Sequence, residues 1–139
     1  MAEFQFAEML SSESAQPEFR LITTEGIESK MLGDQKFLEI SPETLRQVAY
    51  EAIHDISHYL RTSHLEQLRA IIDDPEASAN DRFVALDLLK NANVSAGGVL
   101  PMCQDTGTAI VSAKRGTKVL TSSNDEVELA HGIFDAYQK

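Results

Sequence analysis

The residues best suited to chemistry in this sequence stand together in one short segment. Cys103, the only cysteine of the chain, follows Pro101 and Met102 and precedes Gln104-Asp105-Thr106-Gly107-Thr108. A thiol among amide, carboxyl and hydroxyl groups fits a metal ligand or a nucleophile, whereas a thiol in an apolar strand is usually inert. A single cysteine lacks the multi-ligand spacing that makes a metal motif specific. Spacing alone therefore leaves a functional and a structural role for Cys103 open.

Three histidines form a second candidate site. His54 and His58 are four residues apart and would share one helix face, with His64 further on, which imitates a zinc protease motif. However, Asp55 stands where those enzymes carry a Glu base, and Arg61 stands where they need Gly. We therefore predict no zinc site, and we expect the histidines at helix ends or on a half-exposed face.

Two further patterns have simpler interpretations. Asp105-Thr106-Gly107 spells the catalytic triplet of aspartic proteases, but those folds consist almost entirely of strands and this sequence has mostly helical periodicity. Lys114, Arg115 and Lys118 could bind an anion, although a charged turn around Gly116 is usually just solvated. We therefore expect neither an aspartic protease site nor an anion site from these two patterns.

Short strands are expected to position the Cys103 loop. Runs at 19–24 and 36–40 contain Phe, Ile, Leu and Thr and flank Gly26 and Gly33-Asp34, which predicts an N-terminal β-hairpin. The strands expected beside the loop are Val99-Leu100 and Ala109-Ile110-Val111. A turn at Gly116 then leads into Val119-Leu120.

Helices dominate the middle of the chain, where apolar residues recur at steps of three and four. The first predicted helix runs from 42 to about 61, with Ser41 as its N-cap and Pro42 at its first position. Ser63 and Glu66 have the spacing of a capping box for a second, short helix that stops at Asp73-Asp74-Pro75.

A third helix is predicted from about 80 to 93 and a last one after a cap at Asn124 or Asp125. The third is apolar on enough sides to predict deep burial, through Phe83, Val84, Leu86, Leu88 and Leu89. Phe134 and Tyr137 of the last helix are likewise expected in the core. No stop signal follows this helix, which predicts that the natural chain continues beyond Lys139.

Length and charge limit the class of protein. A chain of 139 residues is expected to form one compact unit or one piece of something larger. The net charge of −10 disfavours nucleic acid and membrane surfaces as partners, because both are anionic. A lone cysteine and an acidic, polar beginning argue against a disulfide and a cationic leader, and predict a cytoplasmic protein.

The segment Gly97-Gly98-Val99-Leu100-Pro101-Met102-Cys103-Gln104-Asp105-Thr106-Gly107-Thr108-Ala109-Ile110 closely resembles the first cluster-ligand motif of class I, iron-sulfur-dependent fumarate hydratases and of the related L-tartrate dehydratases. The resemblance extends upstream through 80–93, through Asp55-Ile56-Ser57-His58 and into the opening hairpin. It therefore covers most of the chain and is similar to the beginning of the long single-chain form.

The resemblance implies an α+β fold, namely the helix-rich N-terminal domain of the iron-sulfur fumarases. Residues 1–18 would be an N-terminal arm, and residues 19–139 the first part of the cluster-binding domain, with its remainder further along a complete chain. In this family three cysteines hold a 4Fe-4S cluster, and Cys103 matches the first of them. Gln104, Asp105 and Thr106 would bind the substrate, with Asp105 also catalytic.

The implied activity is the reversible hydration of fumarate to L-malate, a step of the tricarboxylic acid cycle, by a homodimer of the complete protein. The isolated 139-residue chain would be inactive, since the other ligands and the catalytic acid and base have no counterpart in it. Two alternatives stay open. One is the alpha-type subunit of an L-tartrate dehydratase, and the other is a non-catalytic module that keeps the fold and uses Cys103 as a redox-sensitive or structural thiol.

Overall fold

The computed structural model describes residues 19–102 and 108–138. Over those residues the chain has an α+β fold, as predicted. Its elements are β1 (Ile27–Leu32), β2 (Gln35–Ile40), α1 (Pro42–His58), α2 (Thr62–Asp73), α3 (Ala79–Ser95), β3 (Val119–Thr121) and α4 (Asp125–Tyr137).

The predicted hairpin is confirmed, although its first strand lies elsewhere. β1 pairs antiparallel with β2 in a register that joins Leu32 to Gln35, so Gly33-Asp34 forms a two-residue turn. The run at 19–24, predicted as the first strand, has no regular structure. The turn at Gly26 therefore precedes the hairpin and does not form part of its loop.

The strands expected on either side of the Cys103 loop are absent from the described residues. Neither 99–102 nor 108–118 forms a strand. The third strand of the sheet is β3, which pairs parallel with β2 through Leu38 and Val119. Apolar residues alone made 99–100 and 109–111 look like strands, but a strand also needs a partner for its backbone hydrogen bonds, and only β3 reaches the free edge of β2.

The four helices lie where the periodicity places them, with shifts at their ends. α1 begins after the predicted cap, since the Ser41 hydroxyl accepts a hydrogen bond from Thr44 N–H, and it ends at His58 rather than near 61. α2 begins at Thr62, so Ser63 lies inside its first turn and the predicted capping box does not form. Asn124 caps α4 through its side-chain oxygen.

The prediction of deep burial for α3 was wrong. The buried residues of α3 are the small ones, Ala85, Ala92 and Ser95, whereas Phe83 is 62% exposed. Spacings of seven and three residues put the three small side chains on neighbouring positions of one helical face. Their small size allows close packing on that face and leaves the large apolar side chains on the others. Phe134 and Tyr137 of α4, also expected in the core, are 60% and 64% exposed.

The chain divides into two compact units. One contains Leu60–Lys90, which includes α2 and most of α3. The other contains Arg20–Tyr59 and the described residues from Asn91 onward. In the second unit α1 packs against α4 beside the three-stranded sheet. Among the described helices, none is both long and apolar enough to cross a membrane.

Candidate functional site

The candidate site residues Cys103, Gln104, Asp105 and Thr106 lie outside the described residues. The structure does describe the segment that leads to them, Gly97 to Met102. That segment begins at the end of α3 and ends at a buried residue, Met102, which is 8% exposed. The geometry of this approach defines where the chain stands one peptide bond before Cys103.

A tight turn carries the chain away from α3. The N–H of Ala96 donates to Ala92 O at 3.0 Å, that of Gly97 to Val94 O at 3.1 Å, and that of Gly98 to Ser95 O at 2.9 Å. Gly98 has a φ of 72°, a left-handed conformation that glycine adopts without steric cost. The glycine is therefore needed at the point where the chain leaves the helix and turns toward the Cys103 loop.

The far end of this segment is fixed to the C-terminal end of α1. Met102 N–H donates a hydrogen bond of 2.8 Å to the carbonyl oxygen of Ser57. The Ser95 hydroxyl donates to the same oxygen at 3.4 Å, and Ser95 is 1% exposed. The last carbonyls of a helix have no partner inside the helix. Here a carbonyl from the last turn of α1 is satisfied by both ends of the segment that precedes Cys103.

Local hydrogen bonds order the last turn of α1. The Ser57 hydroxyl donates to Ile53 O at 2.8 Å, and Tyr59 N–H donates to Asp55 O at 2.8 Å. The Nδ1 of His58 lies 2.9 Å from His54 O. Because a carbonyl only accepts, that contact requires the proton to be on Nδ1. The end of the helix is thus a defined support for the loop.

The structure places His58 at the helix end, as predicted, with the ring of His54 4.6 Å away. His58 is buried and the His54 side chain is 40% exposed. His64 is exposed on α2, in the other compact unit. Within residues 19–102 and 108–138, no group of three or more His, Cys, Asp or Glu side chains is arranged to hold a metal ion.

Asp55, the residue in the position of a protease base, is paired with a cation. Arg20 donates to the Asp55 carboxylate at 2.9 Å and to Glu51 at 2.8 Å. The hydrogen bond that Arg20 donates to Glu51, followed by the one it donates to Asp55, raises the pKa of the exposed Arg20 guanidinium. Sequence reasoning missed this three-residue cluster, because no pattern joins residues 20 and 55.

Arg115, considered above as an anion contact, is also already paired. Its guanidinium donates to the Asp125 carboxylate at 2.9 Å and to the Thr121 hydroxyl at 3.0 Å. The charged turn therefore connects β3 to the first turn of α4. Lys114 and Lys118 are exposed on the same turn.

Ser57 and Ser95 hold the segment that leads to the candidate site, and sequence reasoning did not identify this contact. Ser57 lies within the Asp55-Ile56-Ser57-His58 segment and Ser95 stands just before Gly97-Gly98. A small polar residue at the end of an apolar helix was the available signal, but the pairing itself joins positions 38 residues apart. Periodicity and caps report neighbours along the chain and carry no information on such a contact.

Comparison with known proteins bears on this same segment. A family model described as "Fumarate hydratase (Fumerase)" matches residues 46–139. Fumarate hydratase 1, mitochondrial, of Leishmania major is 45% identical over 142 aligned residues, covering 100% of this chain and 26% of that protein. The aerobic class I fumarate hydratase of Escherichia coli K12 is 45% identical over 86% of this chain and 22% of its own length.

Fumarate hydratase 2 of Leishmania major is 54% identical over 73% of this chain and 18% of its own length. The chain thus spans about a quarter or less of the curated relatives it matches. The matched region begins inside α1 and includes α2, α3, the Cys103 segment and α4. On this match, which covers more than half of its residues, the chain belongs to the fumarate hydratase family.

Proposed function

We propose that the protein containing this chain is a class I fumarate hydratase that interconverts fumarate and L-malate with the help of a 4Fe-4S cluster. The observation that carries the proposal is the family match over residues 46–139, which includes Cys103 and its anchor on α1. Relatives named as class I fumarate hydratases support the same activity. Cys103 is proposed as one of three cluster ligands.

The donor chemistry of the loop fits this cofactor in kind. A soft thiolate is the preferred protein ligand of iron-sulfur centres, and Cys103 supplies one. The Met102 amide, bonded to Ser57 O at 2.8 Å, would restrict the backbone that presents this thiolate. Two further cysteines would have to come from polypeptide outside these 139 residues, since the sequence has no other.

When bound, an open-iron cluster would supply a Lewis acid for the hydroxyl that leaves malate or is added to fumarate. The residues after Cys103 are proposed to handle the dicarboxylate. The Gln104 amide can donate to a substrate carboxylate, and the Thr106 hydroxyl can add a second contact. The Asp105 carboxylate can orient the reacting hydroxyl or a neighbouring histidine.

We also propose the substrates, the oligomeric state and the compartment of the enzyme. The substrates are small dicarboxylates, the complete protein is a homodimer working in the tricarboxylic acid cycle, and neither nucleic acid nor a membrane is a partner. We propose the cytoplasm as its compartment, although one relative carries the name "mitochondrial". Cell fractionation with antibodies against this chain would assign the compartment directly.

Fumarate is preferred to tartrate as the substrate because the relatives quoted above are all named fumarate hydratases. Measuring activity on malate and on tartrate distinguishes the two possible substrates. A turnover of tartrate that exceeds that of malate would replace the proposed substrate. A purified protein without iron or sulfide would instead support the non-catalytic module.

The decisive experiment compares variants of the iron-loaded protein prepared without oxygen. Cys103→Ser should lose bound iron and essentially all hydratase activity, because a hydroxyl is a poor ligand for iron in such a cluster. Ser123→Ala is the matched control, since the Ser123 hydroxyl is buried and has no hydrogen-bond partner in the described structure. Equal iron content in the two variants would refute the ligand role of Cys103.

Asp105→Asn and Gln104→Ala separate substrate contact from cluster binding. Asp105→Asn should keep the iron and lower kcat by about 10²- to 10⁴-fold, the range for acid-base and orienting groups. Gln104→Ala should act mainly on KM as one carboxylate contact is lost. If Asp105→Asn loses iron as fully as Cys103→Ser, or keeps the wild-type rate, its proposed role is wrong.

The 139-residue chain by itself should not hold a stable 4Fe-4S cluster, because one thiolate cannot replace three. Anaerobic incubation with iron and sulfide, followed by gel filtration, tests this directly. Retention of about four irons per chain, the content of such a cluster, on a monomeric species would show that the single cysteine suffices.

A further inference from the structure

We propose that the free edge of β1 (Ile27–Leu32) is an interaction surface for a second copy of this chain. The second copy adds its own β1 antiparallel to the first, across a two-fold axis that passes beside Ser29. The inference rests on the proposed function for the expectation of a homodimer, and it names the surface through which the two copies meet.

β1 is an edge strand of the described sheet. The strand order is β1-β2-β3, so β2 covers one side of β1, and within residues 19–102 and 108–138 no strand covers the other. All residues of β1 are exposed. Its pairing with β2 continues from Ile27 to Leu32 without a bulge, and the strand contains no proline. Bulges and prolines are common protections of a sheet edge, so this edge is regular enough to accept another strand.

The hairpin shows which backbone groups point to the free edge. Ser41 N–H donates to Gly26 O at 2.8 Å, which makes these two opposite residues a hydrogen-bonded pair. Hydrogen-bonded pairs alternate along an antiparallel ladder, so the even-numbered residues of β1 turn their backbone groups toward β2. The odd-numbered residues, Ile27, Ser29 and Met31, therefore present their N–H and C=O groups at the free edge.

This alternation limits the registers in which two copies of β1 can pair. Odd-numbered residues must lie opposite odd-numbered residues, which places the two-fold axis beside Glu28, Ser29 or Lys30. An axis at Glu28 or at Lys30 puts two like charges directly opposite each other, and such pairs are destabilising. The axis at Ser29 avoids both repulsions and places the exposed apolar side chains of Ile27 and Met31 opposite each other.

The axis at Ser29 also brings opposite charges together. It places Glu28 of each copy opposite the partner's Lys30, in non-hydrogen-bonded positions where cross-strand side chains are closest. Within one copy, Glu28 lies opposite Glu39, a like-charge pair, and Lys30 donates to Glu39 at 3.0 Å. A lysine ammonium has three donors, so the partner's Lys30 can reach Glu28 as well and offset its repulsion from Glu39. The charges of the edge thus complement those of a second copy.

Pairing of this kind joins the sheets of two copies into one continuous sheet. Each copy contributes the same strand, as the self-complementary interface of a two-fold homodimer requires. The edge hydrogen bonds supply the pairing, and the order of the charges fixes the register. The partner that fits this surface is therefore a second β1, in one defined alignment.

The first test is disulfide cross-linking of the complete protein. Ser29→Cys puts one thiol of each copy at the axis, where opposite Cα atoms would be about 5.5 Å apart, within the range of a disulfide. Met31→Cys is the matched control on the same edge and face, because its two copies would be separated by about 13 Å along the strands. After treatment with diamide and non-reducing electrophoresis, Ser29→Cys should give several-fold more covalent dimer than Met31→Cys or wild type. Equal yields overturn the proposed register.

The second test exchanges the charges and measures the dimer dissociation constant by sedimentation. Lys30→Glu should weaken dimerisation by about 10-fold, because both pairs across the axis change from attraction to repulsion. The double variant Glu28→Lys with Lys30→Glu restores opposite charges across the axis and opposite Glu39, so it should recover the wild-type constant. Lys36→Glu makes the same charge change on exposed β2 and should have no effect. A Lys30→Glu protein that dimerises like wild type overturns the inference.

The outcomes separate this inference from the proposed function. A wild-type protein that hydrates fumarate as a monomer, or as a dimer that Ser29→Cys does not cross-link, overturns the β1 surface and leaves the enzyme assignment intact. In the latter case the dimer forms elsewhere, and the edge is free or covered by another strand of the complete polypeptide. A cross-linked dimer without iron or hydratase activity overturns the proposed function and retains the β1 pairing. Selective cross-linking at Ser29 together with recovery in the double variant supports the inference.

Discussion

Gly132 marks the closest approach between α1 and α4, so replacing it by alanine tests whether this contact holds the second unit together. A Cβ at this position would meet the Arg46 carbonyl oxygen, the Ala49 Cβ at 2.7 Å and the Tyr50 nitrogen at 3.0 Å. Two of these atoms are backbone and the third is a Cβ, so none can rotate away. Either the helices separate or the clash remains.

The size of the effect follows from two opposing terms. Alanine is favoured over glycine inside a helix by about 1 kcal/mol, which acts in favour of the variant. Overpacking a close contact costs about 1–3 kcal/mol, and backbone neighbours put this site at the upper end. We therefore expect the free energy of unfolding to fall by about 2 kcal/mol. For a domain of this size that corresponds to a Tm lower by about 6–12 °C.

Thermal and urea unfolding followed by circular dichroism measure this change. Gly116→Ala is the matched control, since its added Cβ would be in ordinary contact with Val119 at 3.6 Å and its φ is not in the left-handed region. That variant should be neutral or slightly more stable, because alanine restricts the unfolded chain. A Tm for Gly132→Ala equal to or above wild type would refute the packing argument.

Three other predictions concern caps and charged groups. Asn124→Ala removes the oxygen that accepts Glu126 N–H at 3.0 Å and should lower the free energy of unfolding by about 1 kcal/mol in urea titrations; an unchanged midpoint would contradict the cap. The hydrogen bond from the Ser78 hydroxyl is the main cause that lowers the pKa of Asp81. The ionised Asp81 carboxylate therefore stabilises the fold fully at neutral pH, and this stabilisation is lost as the pH falls through the lowered pKa. Ser78→Ala should raise the pKa of Asp81 in an NMR titration, and an unchanged pKa would contradict the role of this hydrogen bond. His54→Ala should leave the zinc content of the purified protein unchanged, and loss of a stoichiometric zinc ion would reverse our interpretation of the histidines.

Local signals in the sequence were enough for most of the helices and for the hairpin turn. Ser41 and Asn124 act as caps within three residues of themselves, and Gly33-Asp34 joins strands that are neighbours in sequence. Such features depend on side chains and backbone groups a few positions apart. The interactions that form caps and tight turns join residues within a short stretch of sequence, so that stretch is enough to predict them.

The parts that sequence reasoning missed all depend on partners far along the chain. The sequence pointed to Val119-Leu120 after the Gly116 turn but not to the partner of β3, since Leu38 N–H donates to Lys118 O at 2.9 Å across 80 positions. The apolar runs at 99–100 and 109–111 have the composition of strands and lack such a partner in the described structure. Phe83 is of a residue type that is common in cores, but the packed face of α3 is formed by its small side chains. Composition predicts which secondary structure and burial a segment can adopt, and the available partners determine which it adopts.

The candidate site shows the same division, because its chemistry is a prediction from sequence and its support became visible only in the structure. The support is α1, which is held at three points along its length. Thr44 near its start donates to Glu25 O at 2.9 Å, Ala49 packs against Gly132, and Ser57 at its end accepts from Met102. If α1 is rigid along its length, a substitution near its middle should change hydrogen exchange of the Met102 amide only through the stability of the whole unit.

Hydrogen exchange of the Met102 amide should therefore distinguish a substitution in the middle of α1's packing from one beside the Met102 hydrogen bond. Gly132→Ala should speed exchange of the Met102 amide no more than that of other slowly exchanging amides of α1, because it lowers the stability of the whole unit. Ser95→Ala should speed Met102 selectively, because it releases one end of the loop and leaves the contact of α1 with α4 in place. Selective exchange in the glycine variant would mean that α1 bends between Ala49 and Ser57. In that case the hydrogen bond from Met102 N–H to Ser57 O would depend on how α4 packs against α1.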